Sequence, residues 1–301
     1  MTADRAVATG PAAPPGEVPR TLLGGYFGVS SAREWLRAWA AILVLLGPAR
    51  LVLRLAAVLP NRSVQRVAER RWARLAARLL RLRVHTSGLE HIDPDERYVV
   101  VSLHEGFADG LALLHLPLSL TAVARDELAT FPLLGDQLLR GRHLFIPPER
   151  PFQAARALLR EARAAIEAGD SVLCFPQGSI LGIELAFQPG AFTLARRLGH
   201  PLLPVVVTGG HLVWEHPFTP TLRFDQSMSV TVLPPVPPGE VVGRRAAIES
   251  YMKQLALSSP TPPRRFDPAR DGYWDAYRYE IDPSFPDLAN RVASHRQAGA
   301  S

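Results

Sequence analysis

The stretch YVVVSLHEGFAD, residues 98–109, decides the fold. Its first half, Tyr98–Leu103, is a continuous apolar run, and such a run without polar alternation predicts a strand buried on both faces of a sheet. Its second half places titratable side chains directly after that strand. Because open α/β sheets bind their ligands at the carboxyl edge of the strands, we expect a functional site here.

The pattern of short apolar runs and helical stretches continues to about residue 258. The runs predict further strands at Thr121–Ala124, His143–Ile146, Ser171–Phe175, Leu202–Val207 and Met228–Leu233. Helices are predicted near Glu127–Leu139, Phe152–Glu167, Ala191–Leu198 and Gly243–Leu257. This alternation predicts an α/β fold with a mixed, mostly parallel sheet flanked by helices.

The positive charge of the chain is concentrated in one segment. The 301 residues carry 34 Lys+Arg against 28 Asp+Glu, a net charge of +6, with a pI of about 10.1. Between Arg33 and Arg83, 12 arginines face only two glutamates, so this segment carries +10 and the remainder −4. Such a segment is typical of binding to nucleic acid or to an anionic membrane. It contains no nucleic-acid-binding motif and few aromatics, so we expect a membrane surface and no nucleic acid.

The apolar run Ala38–Ala49 supports the membrane interpretation. Its twelve uncharged residues are fewer than the roughly 20 that a spanning helix needs. Extension to Leu59 reaches that length only by including Arg50 and Arg54, which are costly at membrane depth. We therefore predict a monotopic or re-entrant segment rather than a simple span. A buried helix of a soluble protein is the alternative.

A regular arginine stripe follows this run. Arginine recurs at every fourth position, which places these residues on one side of a helix: Arg62, Arg66, Arg70, Arg74 and Arg78. A basic amphipathic helix beside an apolar hairpin favours binding to anionic lipid, with the protein peripheral or monotopic on the cytoplasmic face of the cell membrane. The alternative is a solvated face whose arginine stems cover the core.

Composition divides the chain into four parts. Residues 1–30 begin with an Ala/Pro/Gly-rich stretch that predicts a disordered tail and lacks the apolar run of a signal peptide. Residues 31–84 form the predicted membrane-associated helices, and residues 85–258 the catalytic domain. Residues 259–301 form a C-terminal extension whose aromatics, from Tyr273 to Tyr279, predict an ordered segment.

His104 and Asp109 are the first candidate catalytic residues. Histidine has a pKa near neutrality and can take a proton from a hydroxyl group. An aspartate five residues later can reach back across the turn and fix the tautomer of the ring, as in a triad whose nucleophile is supplied by the substrate. By itself, this spacing is also that of a turn with an aspartate cap.

A second loop follows the predicted strand Ser171–Phe175. It reads Phe175-Pro176-Gln177-Gly178-Ser179, in which Pro and Gly set a tight turn and Gly178 allows close approach of a ligand. A simple strand-to-loop turn is the alternative. The single cysteine, Cys174, excludes a disulfide within the chain and a Cys-rich zinc site, and we interpret it as a small buried hydrophobe. His115 and His143 are interpreted as structural.

With these two loops, the sequence resembles the glycerolipid acyltransferases, the family that includes 1-acylglycerol-3-phosphate acyltransferases. His104 and Asp109 match the family's H-x-x-x-x-D block, and residues 175–179 match its F-P-E-G-T block. Three further stretches match in the family's order: Arg125-Asp126-Glu127-Leu128 with Pro132 and Gly135, Gly141–Ile146, and Pro201–Val205.

The resemblance implies acyl transfer from acyl-CoA or acyl-carrier protein to a lipid hydroxyl, with no metal or bound cofactor. His104 would deprotonate the hydroxyl, Asp109 would orient His104, and the loop of residues 175–179 would contact substrate. Three positions depart from the family: Gln177 replaces Glu, Ile180 replaces Arg, and Pro148 replaces an Arg that Arg150 provides two positions later. Because the family's arginines contact the acceptor phosphate, a phosphate-free acceptor remains an alternative, as does a silent lipid-binding protein.

Overall fold

Helices and strands alternate along the chain, as the sequence predicts. This computed structural model describes residues 18–22, 25–29, 31–131, 134–147, 151–214, 221–267 and 280–299. The strands are β1 (Val18–Leu22), β2 (Gly25–Val29), β3 (Arg83–Ser87), β4 (Val99–Ser102), β5 (Leu120–Arg125), β6 (Leu144–Ile146), β7 (Ser171–Cys174), β8 (Leu202–Thr208), β9 (Thr221–Arg223) and β10 (Ser227–Val232).

The helices cover both faces of the main sheet. They are α1 (Ala32–Leu46), α2 (Pro48–Val58), α3 (Arg62–Leu79), α4 (Ala108–Leu113), α5 (Leu134–Arg140), α6 (Pro151–Glu167), α7 (Gly190–Leu198), α8 (Gly210–Trp214), α9 (Arg245–Leu257) and α10 (Pro286–Gly299). The helix predicted over 127–139 is divided: a 3₁₀ turn at Asp126–Thr130 precedes α5.

The main sheet has seven strands in the order β3-β10-β8-β4-β7-β5-β6. Only the β10–β8 pair is antiparallel among these neighbours. All six strands predicted from apolar runs are therefore present, and the mixed, mostly parallel sheet is confirmed. The valines of β4 alternate between two cores: Val99 and Val101 face one side, Val100 the other.

Two predictions about the N-terminal segment need correction. The predicted disordered tail includes β1 and β2, which pair antiparallel, while β2 also pairs with β9; residues 1–17 lie outside the described residues. The arginine stripe of α3 does not form one exposed face. Arg66 is 2% exposed, and Arg62 pairs with Asp170 at 3.2 Å.

The buried end of α3 attaches to the main sheet through charged groups. Arg66 donates to Glu69 at 2.8 Å, to Asp170 at 2.9 Å and to Thr121 at 2.6 Å. Buried charges must be paired and hydrogen-bonded, and these contacts meet that requirement. One side of the first turns of α3 is therefore buried against the domain, while Arg74 and Arg78 are exposed.

Helices α1 and α2 form an apolar helical segment that is interrupted only at Gly47. Residues 32–58 are long and apolar enough to cross a membrane by length and composition, and 22% of the most apolar window is buried. The two arginines of α2 reach toward α5. Arg50 and Arg54 both pair with Asp136 of α5, at 2.9 and 2.7 Å. These ion pairs join α2 to the domain and leave its other side apolar and exposed.

Candidate active site

The two predicted loops lie side by side at the carboxyl edge of the sheet. Strands β4 and β7 are parallel neighbours in which Val101 lies opposite Cys174. His104 follows the end of β4 and Phe175 follows β7, so parallel pairing brings both to the same edge. The β4 and β7 strands are buried along their full length, which gives this edge a rigid base.

His104 and Asp109 form a hydrogen-bonded pair. The Nδ1 atom of His104 lies 2.8 Å from Oδ2 of Asp109. The same oxygen accepts the backbone N–H groups of Glu105 at 2.6 Å and Gly106 at 2.9 Å. Asp109 is fully buried at the start of α4, whereas the His104 side chain is 21% exposed. This arrangement fixes the ring and leaves Nε2 as the nitrogen not bonded to Asp109.

The His104 ring is also fixed by stacking. It packs on the ring of Phe175, with centroids 3.9 Å apart and planes inclined by 17°. Stacking on one face and hydrogen bonding at Nδ1 together restrict both rotation and tilt of the imidazole. Phe175 is thus brought to the predicted site.

The Gln177 side chain, predicted to contact substrate, connects the two loops of the site. Gln177 is 4% exposed, and both ends of its amide bond to the protein. Its Oε1 accepts the backbone N–H of His104 at 2.7 Å, and its Nε2 donates to the carbonyl of Gly182 at 2.8 Å. The side chain therefore bridges the two loops, and its predicted contact with substrate stays a prediction.

The rest of the second loop turns outward. Pro176 is buried, Gly178 is exposed and Ser179 is half-buried. Gly178 has φ +67°, and its N–H donates to the carbonyl of Phe175 at 3.0 Å, closing the turn. The left-handed backbone explains why glycine stands here. Ser179 is the polar side chain of this loop that lies nearest the surface.

Comparison with known proteins shows which proteins this chain is similar to. A family model described as Acyltransferase matches residues 83–208. A 1-acyl-sn-glycerol-3-phosphate acyltransferase of Pseudomonas aeruginosa is 28% identical over 213 residues, covering 69% of this chain and 81% of that protein. The human 1-acyl-sn-glycerol-3-phosphate acyltransferase alpha is 30% identical over 162 residues, which cover 52% of this chain and 56% of the human protein. The chain is therefore similar to members of the glycerolipid acyltransferase family.

Other comparisons show how far the likeness to this family extends. The Limnanthes alba relative, also called a 1-acyl-sn-glycerol-3-phosphate acyltransferase, is 29% identical over 135 residues, so the chain spans about half its length (47%). The crystal structure of the 1-acyl-sn-glycerophosphate acyltransferase from Thermotoga maritima matches with a TM-score of 0.58 at 22% identity. The match covers 73% of this chain and 91% of the Thermotoga maritima chain, which supports the α/β fold described above.

Two of the remaining matched blocks reach the same edge. Strands β5 and β6 continue the parallel order beyond β7, so Arg125 and Pro147 emerge at the same edge as the first two loops. Arg125 contacts Glu127 at 3.1 Å and keeps a 27% exposed side chain. Ile180, at the position of a family arginine, is 8% exposed. Arg150, predicted to contact substrate, lies outside the described residues.

Residues C-terminal to the range matched by the family model, 83–208, pack against the segment that follows the second loop. Glu184 is 2% exposed; it accepts the N–H of Phe266 at 2.9 Å and the guanidinium of Arg265. Lys253, the single lysine, donates to the carbonyl of Leu185 at 2.8 Å and to Asp282 at 2.5 Å. The C-terminal extension is therefore packed against the loop that follows Ser179. The predicted aromatic segment 273–279 lies outside the described residues.

Sequence reasoning missed a second histidine–carboxylate pair. Glu105 is 2% exposed, and its Oε2 bonds to the N–H of Gly209 and to Nδ1 of His211, both at 3.0 Å. Burial raises the pKa of Glu105, and the hydrogen bond with His211 opposes this rise. The signal was present: His211 follows the predicted strand Leu202–Val207, at the same carboxyl edge as His104.

Other titratable residues are in structural positions, as predicted. The Nδ1 atom of His143 accepts the N–H of Ala122 at 2.9 Å, and burial lowers its pKa to about 3. Cys174 is buried, which raises the pKa of its thiol to about 12. His115 bonds to the carbonyl of Leu111 within its own helical segment. Among the described residues, no group of three or more His, Cys, Asp or Glu side chains is placed to hold a metal ion.

Proposed function

We propose that this protein transfers a fatty acyl group from a thioester donor, acyl-CoA or acyl-carrier protein, to the hydroxyl of lysophosphatidic acid or a related lysophospholipid. The pairing of His104 with Asp109 at 2.8 Å carries the proposal. This pair occupies the family's H-x-x-x-x-D positions. The names of the relatives, all acyltransferases acting on 1-acyl-sn-glycerol-3-phosphate, support the acceptor class.

His104 acts as the general base in this proposal. Asp109 accepts the Nδ1–H bond, so the lone pair of Nε2 is available for the acceptor hydroxyl. Nε2 takes the hydroxyl proton as the oxygen attacks the thioester carbonyl. The C–S bond then breaks as the ester C–O bond is completed, and the imidazolium returns the proton to the thiolate. The thioester is a co-substrate, and the reaction needs no metal or bound cofactor.

The loop beside His104 places the substrates. Phe175 supports the imidazole ring, and the Gly178 turn leaves room for an acyl thioester next to it. Ser179 offers a hydroxyl donor for a substrate oxygen or for the developing oxyanion. Arg150 binds the acceptor phosphate, because a guanidinium is the natural bidentate partner of that group.

The α1–α2 segment attaches the enzyme to an anionic membrane, on the cytoplasmic face, as a peripheral or monotopic protein. This attachment is supported by a surface of large apolar side chains that is exposed on α1 and α2. Those more than half exposed are Leu36, Leu43, Leu51, Val52, Leu55 and Val58. Arg50 and Arg54 pair with Asp136 of α5, so their guanidinium groups are held toward the domain rather than within this surface.

The test is an acceptor screen with purified protein, read by mass spectrometry. Acyl-CoA and acyl-carrier protein are each supplied with lysophosphatidic acid, other lysophospholipids and phosphate-free amino-lipid or glycolipid acceptors. We expect preference for lysophosphatidic acid and loss of activity in His104→Ala. Preference for a phosphate-free acceptor would refute the proposed substrate class. Absence of thioester cleavage with every acceptor would instead support a silent lipid-binding protein.

A further inference from the structure

The carboxylate of Glu105 contacts both sides of one glycine. Its Oε2 bonds to the backbone N–H of Gly209 and to the ring of His211, the residues that flank Gly210. Glu105 is the residue directly after His104, and its own N–H donates to Asp109. One buried residue therefore connects the turn that carries the His104–Asp109 pair, the dyad, to the start of α8.

Gly210 lies directly against the second oxygen of Asp109. A Cβ atom on residue 210 would stand 1.7 Å from Oδ1 of Asp109, so only glycine fits this close approach. Oδ1 is buried and finds no hydrogen-bond partner in the part of the chain that the structure describes. Packing, rather than hydrogen bonding, thus limits the movement of the Asp109 carboxylate on this side.

The far end of α8 is attached to the same turn. The carbonyl of Trp214 accepts the N–H of Phe107 at 2.9 Å, and the two rings lie 5.6 Å apart. Helix α8 is only five residues long, so its position depends on these attachments at both ends. The attachment near Gly210 is made by Glu105.

We propose that Glu105 and His211 are positioning residues, which hold Gly210 against Asp109 and so fix the dyad in its productive geometry. The inference depends on the proposed function only in taking His104 as the base. His211 acts through its Nδ1 donor, and Glu105 acts as the acceptor shared by the two residues that flank Gly210. Small displacements of a reacting group lower the reaction rate steeply. Loss of the hydrogen bonds that Glu105 makes to Gly209 and His211 should therefore lower kcat and leave substrate binding intact.

The experiment compares His211→Ala, His211→Asn and His211→Gln with Glu105→Ala in the full chain. The amide nitrogen of asparagine occupies the place of Nδ1, whereas that of glutamine reaches the place of Nε2. We expect kcat with acyl-CoA and lysophosphatidic acid to fall by about 10–100-fold in both alanine variants and in His211→Gln, with KM within about twofold. His211→Asn should stay within about threefold of the wild type, because it retains the donor.

His200 provides the matched control. Its Nδ1 also approaches a glutamate, Glu96, at 3.4 Å, but it precedes β8 at the opposite edge of the sheet. His200→Ala should therefore leave kcat unchanged. If Glu105→Ala does not fold, the His211 variants still test the proposal, because the His211 side chain is 16% exposed and less buried than that of Glu105.

A second measurement needs no substrate. The rate at which diethyl pyrocarbonate modifies His104, followed by peptide mass spectrometry in folded protein, should fall in the variants whose kcat falls. Wild-type kcat and modification rate in His211→Ala would overturn the proposal. His211→Asn as slow as His211→Ala would also overturn it, because the Nδ1 donor would then not account for the effect. An active His104→Ala in the same assay would instead refute the proposed base.

Discussion

The side-chain oxygen of Gln177 accepts the backbone N–H of His104 at 2.7 Å, and this bond joins the two loops of the site. The other end of the same amide donates to Gly182. The bridge thus needs one acceptor and one donor on a single side chain. Gln supplies both without charge, whereas an ionised Glu supplies only acceptors.

We predict that Gln177→Glu destabilises the protein in a pH-dependent manner. An ionised carboxylate would face the Gly182 carbonyl, but a protonated one could donate to it. The loss in free energy of unfolding relative to the wild type should be about 1–3 kcal/mol at pH 8, and it should shrink as the pH falls toward 5. Urea unfolding at both pH values measures this difference. Gln177→Ala is the control, and its loss should not depend on pH.

Replacement of Asp109 by Asn should reduce turnover without unfolding the protein. The amide can still accept a hydrogen bond, but it no longer stabilises the imidazolium formed when His104 takes a proton. We expect kcat to fall by about 10²–10⁴-fold, the range seen when the orienting acid of a triad is lost. Steady-state kinetics with lysophosphatidic acid measure the change, and circular dichroism checks the fold. A decrease of less than tenfold would contradict the role of Asp109.

His143 makes stability depend on pH. Its pKa is lowered from 6.5 to about 3 by burial, so the native state binds the proton less tightly than the unfolded state. The neutral form therefore contributes its full stability above about pH 6.5, and this contribution is lost as the pH falls from 6.5 toward 3. His143→Asn retains an acceptor for the N–H of Ala122 and removes the titration. Between pH 7 and 4, its free energy of unfolding should decline less steeply than that of the wild type; parallel curves would contradict this.

Much of the fold could be predicted because burial leaves a clear pattern. The central strands are continuous valine and leucine runs, and each predicted run is a strand. Strand β3 was missed because its residues are mostly exposed at the sheet edge and read as polar. The hairpin β1–β2 was missed because it follows a stretch rich in Ala, Pro and Gly without periodicity. Local composition does not report a pairing partner that lies distant in sequence, such as β9 for β2.

The arginine stripe shows the limit of charge periodicity. An arginine every fourth residue has the same spacing whether it faces lipid phosphate or a buried carboxylate. Arg66 faces the protein interior because it pairs with Asp170. Asp170 lies 104 positions later in the sequence, so the residues around Arg66 do not indicate this pairing. The Gln177 bridge was missed for the same reason, since its acceptor role depends on the register between two strands. His104 and Asp109, five residues apart, could be paired from sequence.

Arg66 should therefore contribute to stability rather than to membrane binding. Its guanidinium and its partner Asp170 are both 2% exposed. Arg66→Met leaves buried carboxylates without their cation, and we expect a loss of about 3–5 kcal/mol in the free energy of unfolding, measured by urea titration. Arg74→Ala, on the exposed part of the same helix, should change it by less than about 1 kcal/mol. Similar losses in the two variants would contradict the burial of Arg66.

Membrane attachment is best tested by point substitution, since α3 is built into the domain and deletion of residues 31–83 would disrupt the core. Leu55, on the exposed side of α2, is 59% exposed. Transfer of one leucine side chain from water contributes about 1.5–3 kcal/mol, so Leu55→Glu should lower the vesicle partition coefficient by about tenfold or more. Flotation with vesicles containing anionic phospholipid measures it. Leu257→Glu makes the same change at a 44% exposed position on α9 and should leave partitioning unchanged. Equal effects of the two substitutions would refute α2 as the membrane-binding surface, because a general effect of added negative charge would then explain both.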